Sequence, residues 1–258
     1  MLLLVIYLFI TSYLLMVSTD GTVEAVKQVF KDKVVVLRTN ASLGGARYLG
    51  MKLVDTEWFA FIDSDVEILN GWLENAEKYM HNPKIYGVQG EFVSPHESNR
   101  LQASIQAVRP LCEIDSRVIT RYGFYSFSGA NTGHVLLRSS IIELLDPRIM
   151  FELRSGEDFY IAQQIVKAGF YYIRNPLMRA IHWDIDMKIR VLKALSRSLG
   201  ENGILIDMNY TTFFSYALTR ILSDLVKRNM RKLLIHSIQL IGSPISYVKT
   251  RRLTCNWI

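Results

Sequence analysis

At 258 residues, half of them hydrophobic and 21% charged, the chain is long enough for one large domain, or one domain with a helical appendage, and too apolar for wholesale disorder. Two cysteines, Cys112 and Cys255, match no metal or redox spacing and make no disulfide framework, which fits a reducing, intracellular setting. The net charge of +6 is uneven: from Lys188 to the end, twelve Lys and Arg stand against Glu201, Asp207 and Asp224, a net +9, so residues 1–187 carry −3. A basic, apolar tail on a near-neutral body predicts an anionic surface as partner, and with no groove-reading helix or base-stacking motif in the sequence, lipid ranks above nucleic acid.

Met1 to Val17 holds no charge. It lacks the basic start and small-residue cleavage site of a signal peptide, and it falls short of the about twenty apolar residues a spanning helix needs. It reads as buried helix or strand. Tyr13–Val17 is a short strand closed by Ser18-Thr-Asp-Gly-Thr22, which is turn and cap chemistry. Thr22–Phe30 has helical spacing, with Val23, Val26 and Phe30 on one side; Val34–Leu37 is a β-branched buried strand; Gly44–Val54 is the next helix. Trp58–Ile62 is a fully apolar strand that stops at Asp63. This rhythm points to a parallel, doubly wound sheet covered on both faces. Pro95–Asn131 is less regular. Ser139–Leu145 reads as a helix stopped by Asp146-Pro147, and Ser155-Gly-Glu-Asp158 opens another that Gly169 closes. From Lys188 onward the pattern is helical, over Ile189–Leu195, Phe213–Val226 and Leu233–Val248.

The chemistry is concentrated in carboxylates. Asp63-Ser64-Asp65 follows a buried strand, at the edge where open α/β sheets bind ligands. In extended chain, residues i and i+2 face the same way, and two such carboxylates suit a magnesium or manganese ion shared with phosphate oxygens. The commonplace alternative is a surface turn. Glu157 and Asp158 sit in a first helical turn, where the helix dipole favours acids and keeps a general base ionised. His182 is a third candidate, and a lone histidine is more often structural.

Taken in order, Thr19-Asp-Gly-Thr22, Asn40-Ala-Ser-Leu-Gly-Gly-Ala-Arg-Tyr-Leu-Gly50 and Phe61-Ile-Asp-Ser-Asp-Val66 resemble the family-two glycosyltransferases of GT-A fold. So do Gly129-Ala-Asn-Thr-Gly133 with Arg138, the Gly156-Glu-Asp-Phe helix ending Lys-Ala-Gly169-Phe, and His182 downstream. The resemblance covers roughly residues 13–185. It implies a Rossmann-like, doubly wound mixed sheet over 1–187 with a helical extension over 188–258, and an inverting transfer from a nucleotide-diphosphate sugar. By position, Asp65 matches the metal ligand, Asp63 its partner near ribose and metal, and His182 a position that helps hold metal and diphosphate. Asp158 matches the catalytic base with Glu157 beside it, and Asp20 and Arg47 fall in the donor-binding region. The implied cofactor is Mn2+ or Mg2+. One departure is plain: Leu15-Met-Val17 stands where the family places acidic residues that read the base. Either the chain starts late, with Met1–Ile10 in the place of the first helix, or base recognition has changed.

Arg220, Lys227, Arg228, Arg231 and Lys232 flank apolar stretches of the tail, a composition that suits the interface of a membrane. This predicts peripheral attachment at the cytoplasmic leaflet, where a glycan or lipid-linked acceptor is presented; packing of these helices on the catalytic domain is the rival. Two other functions compete with transfer. A haloacid-type phosphatase requires Thr two residues past its second Asp, where this chain has Glu67. A degenerate, non-catalytic member serving as a membrane-associated partner is the stronger alternative.

Overall fold

The computed structural model describes residues 2–6, 12–16, 21–93, 131–183, 187–206 and 210–255. The expectations on Asp20, Cys112 and the irregular stretch before Asn131 lie outside them. The chain divides into two compact units: Met1–Ala41, Ala46–Leu145 and Ile161–Trp183 make the first, and Ser42–Gly45, Asp146–Tyr160 and Asp184–Ile258 the second.

The first unit is built on an eight-stranded sheet. Its strands are β1 (Leu2–Ile6), β2 (Ser12–Met16), β3 (Val34–Arg38), β4 (Trp58–Asp63), β5 (Val66–Ile68), β6 (Ile85–Val93), β7 (His134–Arg138) and β8 (Tyr171–His182), in the order β3-β2-β1-β4-β7-β6-β8-β5. The helices α1 (Thr22–Phe30), α2 (Leu43–Lys52) and α3 (Trp72–Met80) fall between strands. The sheet is mixed rather than parallel. Only β2–β3 and β6–β8 run parallel, and every other neighbouring pair is antiparallel. Connection length explains this: a parallel pair needs a crossover of a dozen or more residues, which α1 supplies between β2 and β3. Only five residues separate β1 from β2, so β1 pairs antiparallel, in register from Leu2↔Met16 to Ile6↔Ser12. Leu2–Ile6, the described part of the Met1–Ile10 stretch expected in the place of the first helix, is a strand.

The apolar run of β4 is buried on both faces. Trp58, Ala60 and Ile62 join Leu136 of β7, Ile85 and Val88 of β6 and Ile173 of β8 against Trp72, Ala76 and Tyr79, which recur at helical spacing on α3. Phe59 and Phe61, fully buried, point the other way and meet edge to face at 5.1 Å. Arg138 ends β7 with its guanidinium 4.6 Å from the Trp58 ring and 5.8 Å from Tyr86, so this part of the resemblance serves packing. In β8, Asn175–Met178 loop out between the pairs Gln89↔Arg174 and Glu91↔Arg179. Pro176 cannot donate to a ladder, and the Asn175 side chain bridges the gap by accepting from Leu177 N at 3.0 Å and donating to Asn75 O at 2.9 Å.

The second unit is helical: α4 (Pro147–Glu152), the first turn of α5 (Glu157–Lys167), α6 (Met187–Leu199), α7 (Tyr210–Val226) and α8 (Met230–Cys255). Ser139–Leu145, in the first unit, is not an α-helix but a 3-10 segment over Ser139–Leu144. Asp146-Pro147 does not only stop a helix; it starts α4, with Asp146 accepting from Arg148 N and proline in the first turn, where its missing N–H costs nothing. Pro244 lies inside α8, and there the Ser243 hydroxyl donates to Leu240 O at 2.7 Å in place of the backbone N–H that proline lacks. Among the described residues no helix is long and apolar enough to cross a membrane.

Candidate active site

β4 delivers Asp63 to the end of the sheet, its N–H donating to Gly133 O at 2.8 Å. Beyond it the chain does not stay extended: Ser64-Asp65 form a turn into β5, so the alternation expected to align the two aspartates does not operate. Asp65 is placed instead by β5–β8 pairing. Val66 faces His182, and Trp183 N donates to Asp65 O at 3.0 Å. This sets Asp65 Oδ2 3.5 Å from His182 Nε2, both side chains about one-third exposed (32% and 35%). Asp63 has a different partner. Its Oδ1 accepts from Arg47 Nη2 at 3.1 Å, while Arg47 Nη1 donates to Thr132 O at 3.1 Å. Arg47 comes from α2, is buried, and lies 5.1 Å from the Phe61 ring centre.

The structure thus brings together Arg47 with Asp63, and Asp65 with His182, in the first unit. Glu157 and Asp158 open α5 in the second. There Gly156 holds φ +69°, and a Cβ would collide with Asn202 Oδ1 and stand 3.0 Å from Gly203 N, so only glycine allows the tight approach that starts the helix at this point. Glu157 is buried; Asp158 is half-buried and its Oδ1 accepts from Phe159 N at 2.9 Å.

Two residues of this region were not legible in the sequence. His134, 1% exposed, follows Gly133 on β7 opposite Ile62, and its Nδ1 accepts from Trp72 Nε1 at 3.1 Å, which leaves the ring proton on Nε2. Phe92 lies between the two histidines, 4.3 Å from the His134 ring and edge-on at 5.2 Å to His182. Gly90 makes room for this stack, since a Cβ there would collide with the His134 ring and with Met178 O. A histidine directly after the Gly133 motif, opening a strand that continues Val-Leu-Leu-Arg, is the one signal that could have found it.

Burial pushes the His134 imidazole down from 6.5 to about 4; the nearby Asp63 charge opposes this, and Arg174 and His182 add to it. The folded imidazole stays neutral where the unfolded one binds a proton. Its contribution to stability is therefore complete above pH 6.5, is lost as pH falls towards 4, and is level below that. The whole shift corresponds to about 3 kcal/mol. Urea denaturation across this window is expected to show a steeper loss for the wild type than for His134→Gln; equal slopes would refute the assignment.

Among the described residues, no three His, Cys, Asp or Glu side chains are grouped so as to hold a metal ion on their own. Asp65 and His182 are the two neighbouring side chains here that could hold a partly hydrated cation shared with phosphate oxygens.

Asp63 and Asp65 stand at the end of β4, the edge at which open α/β sheets bind ligands. Residues 17–144 match the family model described as "Glycosyl transferase family 2", and through this stretch the chain is similar to that family. The mixed sheet agrees with the GT-A fold that the motifs implied, and the helical extension expected after it is present. Over 138 residues the chain is 27% identical to "Pre-mycofactocin glycosyltransferase" of Mycobacterium tuberculosis (strain CDC 1551 / Oshkosh), an alignment covering 53% of this chain and 29% of that protein. The chain thus matches less than a third of the length of its curated relative. Solved structures similar to it include "Mannosyltransferase PcManGT from Pyrobaculum calidifontis in complex with GDP-Man and Mn2+", 14% identical, with a TM-score of 0.47, 93% of this chain and 63% of that one covered. Another is S. aureus TarS 1-349 in complex with UDP-GlcNAc, 15% identical, with a TM-score of 0.43 and coverage of 92% and 80%.

Proposed function

We propose that the chain is an inverting, metal-dependent glycosyltransferase, moving a sugar from a nucleotide-diphosphate donor to a hydroxyl of a glycan or lipid-linked acceptor at the cytoplasmic face of the cell membrane. The observation that carries this reading is the Asp65–His182 pair beside Arg47–Asp63 at the end of β4, inside the stretch that matches the family for all but His182. Asp65 and His182 are the side chains that would hold Mn2+ or Mg2+. When bound, such an ion supplies Lewis-acid neutralisation of the charge that grows on the leaving diphosphate. Asp63, held by Arg47, keeps a fixed carboxylate next to the donor, and Asp20 belongs to the same donor-binding set. Asp158 takes the proton of the acceptor hydroxyl as its oxygen attacks the sugar face opposite the departing diphosphate, with Glu157 beside it. Residues 1–187 form the catalytic domain in this reading, and 188–258 a basic helical extension in contact with the membrane.

A thermal-shift screen of nucleotide sugars with and without MnCl2 tests it. Manganese-dependent stabilisation by at least one donor is expected in the wild type and is expected to vanish in Asp65→Ala. Equal stabilisation of both proteins defeats the site assignment. Donor binding with no turnover on any acceptor identifies the chain instead as a non-catalytic member of the family.

A further inference from the structure

The helix α8 is built inside out. Its inward face is Gly242, Ser243, Ser246 and Thr250, all buried. These small residues are tied to the rest of the second unit through polar contacts: Ser246 Oγ donates to Gly200 O, Thr250 Oγ1 accepts from Asn202 N at 3.0 Å, and Ser243 Oγ meets Tyr210 Oη at 3.1 Å. A Cβ on Gly242 would collide with Ser198 Oγ, so the approach to α6 is close. Five large apolar side chains point outward: Met230, Leu234, Ile241, Ile245 and Val248 recur at steps of four, seven, four and three along one side of the helix and are 50–79% exposed. The preceding helix α7 carries a second exposed stripe, Phe214, Leu218, Leu222 and Leu225, at steps of four, four and three. A helix that only packed on its own domain would turn these residues in and the serines out.

Charge says what covers the stripe. Residues 210–258 contain eight Lys and Arg and one acid, Asp224. That acid is buried and bonded to His236 Nδ1 at 2.5 Å. The outer surface of the hairpin thus carries no acidic side chain, while Lys227, Arg228, Arg231 and Lys232 crowd the exposed corner between α7 and α8. A second copy of this chain would set these cations against their own kind. We infer that the α8 stripe and this corner form a docking face for the surface of an anionic bilayer, with the helix lying in the plane of the interface, its aliphatics below the headgroups and its cations among the phosphates. This rests on the membrane contact proposed above, and gives it a face and a lipid class; it does not depend on the transfer reaction.

Flotation of the full chain tests it, with vesicles of phosphatidylcholine alone and of phosphatidylcholine mixed with phosphatidylglycerol. Wild type is expected to float with the anionic vesicles and to be released by salt. Ile241→Ser/Ile245→Ser is expected to reduce partitioning at least about tenfold. Lys227→Gln/Arg228→Gln is expected to reduce it about fivefold per cation, with a shallower salt dependence. Both variants change exposed side chains, and unchanged melting temperatures verify their folding. If wild type floats but the isoleucine variant floats equally well, this face is wrong while membrane contact stands. If wild type floats with neither vesicle, both fall. A concentration-dependent dimer in light scattering without lipid, dissolved by the isoleucine substitutions, assigns the face to a second copy and overturns the inference.

Discussion

Replacing Asp158 with asparagine is expected to lower acceptor-dependent turnover of the nucleotide sugar by about 10²–10⁴-fold, the usual contribution of a positioned general base. The substitution is conservative by design. Asp158 Oδ1 accepts from Phe159 N at 2.9 Å, and an asparagine Oδ1 keeps that bond and the side-chain volume. What disappears is the ability to take a proton. The first turn of α5, started by the glycine that fits against Asn202, sets this side chain at the positive end of a helix dipole, where an acid is the favoured residue. Donor affinity and melting temperature are expected to stay near wild type, which separates this role from a structural one. Initial rates with saturating donor and manganese, measured beside Glu157→Gln, decide which acid matters: turnover unchanged in Asp158→Asn removes it as the base.

The distribution of what could be read in advance follows from how local each determinant is. Thr22–Phe30 was legible to the residue because its apolar spacing and the Asp-Gly-Thr turn before it are contained in one stretch of chain. Trp58–Ile62 was legible as a strand buried on both faces, and with it the position of Asp63. The direction of β1 was not, because it depends on a five-residue link permitting only an antiparallel return. Nor was the partner of each aspartate. Asp65 meets His182 only because β5 pairs with β8, and Asp63 meets Arg47 only because α2 brings that guanidinium over Phe61. His134 and Phe92 are brought together by the adjacency of β7, β6 and β8. The tail read as helical, with membrane contact and packing on the domain as rival fates. Which face of α8 turns inward is decided by close approach at Gly242 and by hydroxyl bonds to backbone, neither of which is visible in one stretch of sequence.

Arg47→Met is expected to cost about 2–4 kcal/mol of stability, read as a lower urea midpoint at unchanged slope. The guanidinium is 4% exposed and bridges Thr132 O and Asp63 Oδ1, so its loss removes one donor from that carbonyl and the neighbouring cation from that carboxylate. Asp63 is 32% exposed, and solvent softens the second penalty, which places the estimate below that of a fully buried pair. Arg47→Lys is expected to recover only part of the loss, since a single ammonium cannot fork to both oxygens. The informative partner is Asp63→Asn. If the pair is one unit, the double variant is less damaged than the sum of the singles, with a coupling of about 0.5–3 kcal/mol. The same cycle read in manganese-dependent donor binding then separates two roles for Asp63. Loss of binding in Asp63→Asn beyond what Arg47→Met causes ties the carboxylate to the donor directly. Equal losses mean that Asp63 acts only through the geometry it shares with Arg47.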